Sequence, residues 1–349
     1  MSRKSTRAVT RADVARVAGT SDAVVSYVVN NGPRPVSAKT RALVLAAIDS
    51  TGYQPNSVAR SLASGSTGVY GLVVPDISNP FFAAMAHALD EAVYAARKSL
   101  LLGGSSESES REIQLVETFM RHRVDGLLYV GVGHHPSLER AVESGIPVVV
   151  LDRIDDEHPA SSVVVDNTAG AYAAVEHLIA HGYRDIGIIS GPIHVSTATD
   201  RRTGWVNAMT KASLPLRAQW DVSTEFTKAA GLAAGRSLLA LAEPPRAIFA
   251  SNDQQAVGLL IAADEAGLSV PEDLAVFAFD GTSDSEFSVP GLSTVQQPLM
   301  TIAHHAIAAL EKSECRANKR VICDYSLILR RSCGCPALHD PANSRFSTT

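Results

Sequence analysis

The chain has 349 residues, of which 46% are hydrophobic, 19% charged and 5% aromatic. That composition excludes a disordered chain, and that length exceeds one ordinary domain, so two or three folded units with sizeable cores are expected. The formal net charge of -5 hides an asymmetry: residues 1–60 hold nine Lys/Arg against three acids, and the remainder holds 22 basic against 33 acidic groups. A small basic unit joined to a larger acidic one suggests a polyanion-binding head on a body with another task. The first thirty residues contain no long apolar stretch, and runs such as Val148-Val149-Val150-Leu151 are far too short to span a bilayer. A cytoplasmic protein with no membrane partner is expected.

In the basic head, Thr10 can cap a helix from Arg11 through Ala18, with Gly19 as its stop. Ser21 then caps a second helix, Asp22 to about Asn30. The short connection makes a helix-turn-helix. Val24, Val25, Val28 and Val29 recur at helical spacing and are expected to face a core. That leaves Asp22, Ala23, Ser26, Tyr27 and Asn30 pointing outward. Ser37 caps a third helix, Ala38 to about Thr51. Three short helices in a basic segment fit a DNA reader whose second helix enters the major groove.

The run Val9-Thr10-Arg11-Ala12-Asp13-Val14-Ala15-Arg16-Val17-Ala18-Gly19-Thr20-Ser21 resembles the opening of LacI/GalR transcriptional repressors. So do Val24-Val25-Ser26-Tyr27-Val28-Val29-Asn30, Val36-Ser37-Ala38-Lys39-Thr40-Arg41 and the hinge-like Gly52-Tyr53-Gln54-Pro55-Asn56-Ser57-Val58-Ala59-Arg60-Ser61-Leu62. The resemblance covers nearly the whole chain. It implies base-reading side chains at Asp22, Ala23 and Tyr27, where this sequence departs from the family pattern. A carboxylate can accept from cytosine N4 and a methyl can touch thymine, so Asp22 is a reader or an excluder of wrong sequences. Thr10, Ser21, Ser26 and Asn30 are expected to hold phosphates.

Pro55 and Asn56 are expected to start a hinge helix of about two turns, Ser57 to Ala63, too short to be stable alone. The resemblance implies that two hinges pair in the minor groove, where Asn56 and Arg60 contact DNA and Leu62 wedges between base pairs. Residues 63–68 read as a linker. The expected boundaries are 1–54 for the head, 55–67 for hinge and linker, 68–336 for the body and 337–349 for a tail. That tail has no leucine heptads, so a dimer rather than a zipper-joined tetramer is expected.

In the body, apolar runs at 69–75, 99–103, 126–130, 148–152, 162–165, 185–190, 247–250 and 274–280 read as strands. Helical patterns lie between them, among them 81–97, 167–181, 201–212 and 255–266. Repeated βα units predict doubly wound parallel sheets, here in two lobes. This resembles the two-lobed, periplasmic-binding-protein-like body of the same family, in which the chain crosses between lobes three times. The expected fold class is an all-α helix-turn-helix head on an α/β body.

Polar and aromatic residues gather after the strands, where α/β sheets bind ligands. Asn79 follows the first strand, Asp152 ends the fourth, Asp280 ends the last long one, and Arg201 is expected to open a helix. The resemblance implies effector contacts at Phe82, Asp152, Thr197, Arg201, Phe226, Asn252 and Asp280. Carboxylates, an amide, a guanidinium and a Phe face suit a polyhydroxylated ligand such as a sugar, polyol or nucleoside. Asn252 also reads as a plain helix cap, Phe81 as core, and Asp280-Gly281 as a turn.

The four cysteines fall late, at 315, 323, 333 and 335. No nearby histidine pattern completes a zinc site with Cys333-Gly334-Cys335, so reduced bystander thiols, no metal and no cofactor are expected. There is no phosphate loop, no Gly-x-Ser-x-Gly elbow and no His-Glu-x-x-His motif. A transport receptor would fit the body but not the basic head. The reading is therefore a non-enzymatic, effector-controlled transcriptional repressor, a homodimer on near-palindromic double-stranded operator DNA.

Overall fold

The structure is a computed structural model and describes residues 9–30, 34–54, 65–131, 136–153, 160–311 and 319–335. The hinge positions Asn56, Arg60 and Leu62 and the expected tail lie outside these residues. The chain divides into two compact units, Met1–Thr67 and Gly68–Thr349.

The first unit is three helices: α1 (Arg11–Ala18), α2 (Asp22–Val29) and α3 (Ala38–Thr51). Each start is set by a local cap. Thr10 and Asp13 form a reciprocal capping box, Ser21 Oγ accepts from Val24 N–H, and Ser37 Oγ accepts from Thr40 N–H. Gly19 and Gly52 close α1 and α3 at φ 63° and 65°, left-handed values that glycine adopts without a Cβ penalty. Val14, Ala15, Ala18, Val25, Val28, Val44 and Ala47 form the core, with Val29, Val36, Ile48 and Tyr53 packed against it. Val24 is a correction: it is only half-buried and stands outside this cluster. One residue along a helix is a rotation of about 100°, which moves Val24 off the stripe that Val25, Val28 and Val29 share.

The second unit contains two six-stranded sheets. In the first, β1 (Val69–Val74), β2 (Ser99–Gly104), β3 (Gly126–Tyr129), β4 (Val148–Leu151), β5 (Ser161–Val165) and β11 (Arg320–Cys323) lie in the order β11-β5-β4-β3-β1-β2, all parallel. In the second, β6 (Ile186–Ser190), β7 (Asp221–Ser223), β8 (Ala247–Ala250), β9 (Ala275–Asp280), β10 (Ser293–Gln296) and β12 (Ser326–Ile328) run β12-β10-β9-β8-β6-β7, antiparallel only at β12. Most strands are buried along their length, which is why they read as unbroken apolar runs.

Helices α4 (Pro80–Ala95), α5 (Glu109–Arg121), α6 (Pro136–Glu143) and α12 (Leu299–Glu311) belong to the first lobe. Helices α7 (Asn167–Ala180), α8 (Ser196–Lys211), α9 (Lys228–Leu239), α10 (Asp253–Glu265) and α11 (Ser283–Phe287) belong to the second. The chain crosses between lobes after β5, after β10 and after β11, so the three expected crossings are present. Helices α9 and α10 pack through glycine: a Cβ on Gly258 would stand 2.1 Å from Lys228 O, and one on Gly231 would stand 2.3 Å from Gln255 O. Arg201 does not open its helix as expected. It lies in the second turn of α8, which begins five residues earlier at Ser196 after an N-cap, Val195, that makes no side-chain cap bond. The elements the apolar pattern missed include β7, β10, β11 and β12, each four residues or shorter, together with α6 and α12.

Candidate effector pocket and DNA-reading face

Each lobe presents the carboxyl ends of its strands to a common cavity, the position where open α/β sheets bind ligands. It is lined by Asn79, Phe81, Phe82, Asp152 and Arg153 from the first lobe and by Thr197, Arg201, Phe226, Asn252 and Asp280 from the second. All eight effector positions named from the sequence thus stand in one cavity. Phe81 and Arg153 were missed. Phe81 is buried as the sequence suggested, yet it also reaches the cavity, and its ring meets Phe82 edge-on at 5.3 Å. Arg153 follows Asp152 directly, and only the fold turns both side chains inward.

Arg201 is the best-anchored group. Its Nε donates to Asn167 Oδ1 at 2.8 Å, and Nη1 donates to Ser251 O at 2.6 Å and lies 3.2 Å from Asp280 Oδ1. The guanidinium also covers the Phe279 ring at 3.8 Å. Arg153 forks onto Glu107 through Nη1–Oε2 at 2.7 Å and Nη2–Oε1 at 3.0 Å. Gln297, noted in the return crossover, donates from Nε2 to Asp280 Oδ1 at 3.0 Å. Asn252 caps α10 by accepting from Gln255 N–H at 2.8 Å, so the plain cap reading holds while the residue also lines the cavity.

Asp152 and Asp280 are held in unusual backbone states, with φ 59° and 111°. Non-glycine residues pay for such values, and they cluster where a side chain has to be aimed. Both carboxyls are buried. Burial pushes Asp152 upward against the pull of Arg201 and Arg153. Burial pushes Asp280 to about 8, with Arg201 opposing and Asp253 and Asp152 reinforcing. Among the described residues, Asp152 Oδ1 has no hydrogen-bond partner, nor has Arg153 Nε. A buried acceptor without a donor is costly, so Asp152 is suited to a donor brought by a ligand.

Asp253 supports the site from behind. It accepts from Thr282 N–H, Thr282 Oγ1 and Thr294 Oγ1 at 2.6, 2.8 and 2.7 Å, tying the start of α10 to the loop that follows Asp280. No sequence motif marks this role, because the two partner residues, Thr282 and Thr294, lie 29 and 41 residues away.

In the head, Asp22, Ala23, Ser26, Tyr27 and Asn30 are exposed or half-exposed along α2. Arg11 of α1 reaches across to them. Its Nη2 lies 2.6 Å from Asp22 Oδ2, and its Nη1 donates to Ser26 Oγ at 3.3 Å. Asn30 Nδ2 donates to the same hydroxyl at 3.3 Å. Thr10 and Ser21 are committed to their caps. Among the described residues no helix is long and apolar enough to cross a membrane.

Residues 10–56 match the bacterial regulatory proteins of the lacI family, and residues 175–333 match the periplasmic binding protein-like domain. Catabolite control protein A of Priestia megaterium is 35% identical over 87% of this chain and 92% of its own length. The chain belongs to the LacI family. The transcriptional repressor PurR of Pasteurella multocida is likewise 35% identical, over 87% of this chain and 93% of its own. The lac repressor dimer bound to operator and the anti-inducer ONPF superposes with a TM-score of 0.83 at 27% identity, covering 94% of this chain and 99% of that one. These relatives are transcriptional regulators, not enzymes. The expected helix-turn-helix head and two-lobed body are the architecture of this family. The chain is thus a DNA-binding transcriptional regulator of the LacI kind, not an enzyme.

Proposed function

We propose that this regulator is a homodimeric repressor whose affinity for a near-palindromic operator is set by a neutral, polyhydroxylated effector bound between the lobes. The observation that carries this reading is the cavity itself, in which Asp152, Thr197, Arg201, Asn252 and Asp280 meet the rings of Phe81, Phe82 and Phe226. Carboxylates and an amide accept from hydroxyls, a guanidinium donates, and a ring covers an apolar sugar or base face. Both guanidiniums already face carboxylates, Arg201 with Asp280 and Arg153 with Glu107. Arg201 also spends donors on Asn167 Oδ1 and Ser251 O, and Arg153 is forked on Glu107, which favours hydroxyl groups over a phosphate that would have to compete for donors already engaged.

The free space in this half-open cavity is about 20 Å³, room for roughly one water. A sugar-sized ligand therefore has to part the lobes as it enters, and that movement is the means by which occupancy is communicated. Ser21, Ser26, Thr10 and Asn30 would position α2 on phosphates while Asp22, Ala23 and Tyr27 face base edges. Asn56, Arg60 and Leu62 would engage the minor groove.

The test is calorimetric titration of sugars, polyols and nucleosides into the purified chain with and without operator DNA, guided by a thermal-shift screen. A ligand that binds wild type and loses affinity in Asp152→Asn supports the site. By linkage its affinity must change with operator by the factor it imposes on DNA, typically about 5–150-fold. A ligand that binds Asp152→Asn as well as wild type would move the site elsewhere.

A further inference from the structure

Away from the effector cavity, four metal-binding side chains converge on one point. His177 lies on α7 and His181 caps its carboxyl end, four residues apart and thus on one face. Cys333 closes a single 3-10 turn, Arg331–Cys333, that follows β12. Gly334 then takes φ 96°, and this left-handed step returns Cys335 to the same place. A Cβ at Gly334 would stand 3.5 Å from His181 Nδ1 in a conformation that L-residues rarely take, so glycine is what permits the Cys-x-Cys bite.

Cys333 Sγ and Cys335 Sγ each lie 3.4 Å from His177 Nε2, and Cys335 Sγ lies 3.3 Å from His181 Nε2. All four donor atoms fall within 4.8 Å of one another. A tetrahedral zinc with bonds of about 2.3 Å to sulfur and about 2.0 Å to nitrogen has S···N edges of about 3.5 Å. The side chains therefore need only small rotations. Hydrogen bonding alone serves the cluster poorly, since one nitrogen of His177 would have to satisfy two thiols.

We propose that His177, His181, Cys333 and Cys335 form a structural zinc site that fastens the 331–335 segment to α7. Two thiolates and two imidazoles are a closed donor set for zinc, too soft for magnesium or calcium. On binding, the two thiols release their protons to solvent and the imidazoles coordinate as neutral ligands. Ser293 Oγ, 3.0 Å from Cys333 Sγ, is placed to hydrogen-bond the thiolate, and the Phe277 ring meets His177 edge-on at 5.6 Å and orients it. Cys333 is buried, His177 and Cys335 half-buried and His181 exposed, so an ion enters from the surface. This proposal departs from the expectation of bystander thiols. The histidines were invisible beside the Cys-Gly-Cys pair because they stand 154 to 158 residues upstream.

The experiment uses the full chain, purified under reducing conditions, stripped with a chelator, then titrated with zinc or cobalt(II) alone. One zinc per chain by plasma mass spectrometry is expected. Cobalt should give the intense visible bands of a four-coordinate site and a thiolate-to-cobalt charge-transfer band. Zinc should raise the melting temperature of wild type. His181→Ala, at an exposed position with retention of the fold checked by circular dichroism, and Cys335→Ser should each weaken zinc binding by at least about tenfold. A weakly absorbing octahedral cobalt spectrum, no metal uptake, or unchanged zinc affinity in both variants would overturn the proposal. So would a Cys333–Cys335 disulfide that persists under the reducing conditions of the purification.

Discussion

Arg201 Nη1 lies 3.2 Å from Asp280 Oδ1, and both side chains are almost fully withdrawn from solvent. The pair joins α8 to the end of β9, and Arg201 extends the link to Asn167 at the start of α7. Removing the cation leaves a buried carboxyl without its partner. Arg201→Ala also strips the donors from Asn167 Oδ1 and Ser251 O, and is therefore expected to destabilise the body by about 1–3 kcal/mol as well as to end effector binding. Urea unfolding checks the first and calorimetry the second. A variant as stable as wild type would mean that the pair contributes nothing net to folding.

The Asp280 carboxyl, lifted by burial to about 8, makes stability depend on pH. Its folded value lies above the unfolded one, near 4, so folding favours the protonated acid. The corresponding stability is complete below about pH 4 and is lost as pH rises through about 8. Asp280→Asn mimics the neutral acid and should flatten the fall in melting temperature between about pH 4 and pH 8. Parallel profiles for the two proteins would show that another group titrates there.

Asp22 is clasped by Arg11 on the outward face of the head, and both side chains remain nearly half exposed. Such a pair adds little to stability, about 0–1 kcal/mol. Its consequence lies in what the DNA meets, a carboxylate already engaged by a cation. Asp22→Asn is expected to change the preferred half-site, costing about 1–3 kcal/mol on the native sequence. Binding-site selection on both proteins is the check, and one shared consensus would remove Asp22 from the readers.

Gly258 sits where α10 meets the backbone of α9, with room for hydrogen only. Gly258→Ala drives a methyl into Lys228 O and should cost about 1–3 kcal/mol through displacement of the two helices. An equal or higher denaturation midpoint would show that the helices part without penalty.

Leu62→Ala tests the hinge assignment that rests on sequence alone. It should weaken operator binding far more than binding to random DNA, because a wedge contributes only where the minor groove is opened. Equal losses on both, measured by fluorescence anisotropy, would exclude the wedge.

The sequence by itself determined the head and the frame of the body. Thr10, Ser21, Ser37, Gly19 and Gly52 set helix ends through bonds within a few residues of each cap, so they are readable without the fold. Buried parallel strands need apolar side chains on both faces, which made β1, β3, β4, β8 and β9 visible as runs. The strand-end positions of Asp152, Asn252 and Asp280 followed from those runs. Tertiary structure alone decided what met what. Short strands such as β11 and β12 exist only through partners supplied from far along the chain. Arg153 became a lining residue through the turn after β4, and His177 and His181 met Cys333 and Cys335 through the packing of a terminal turn on α7. Local bonds act over three or four residues and leave a pattern, whereas contacts across more than a hundred residues are chosen by the packing of the whole core.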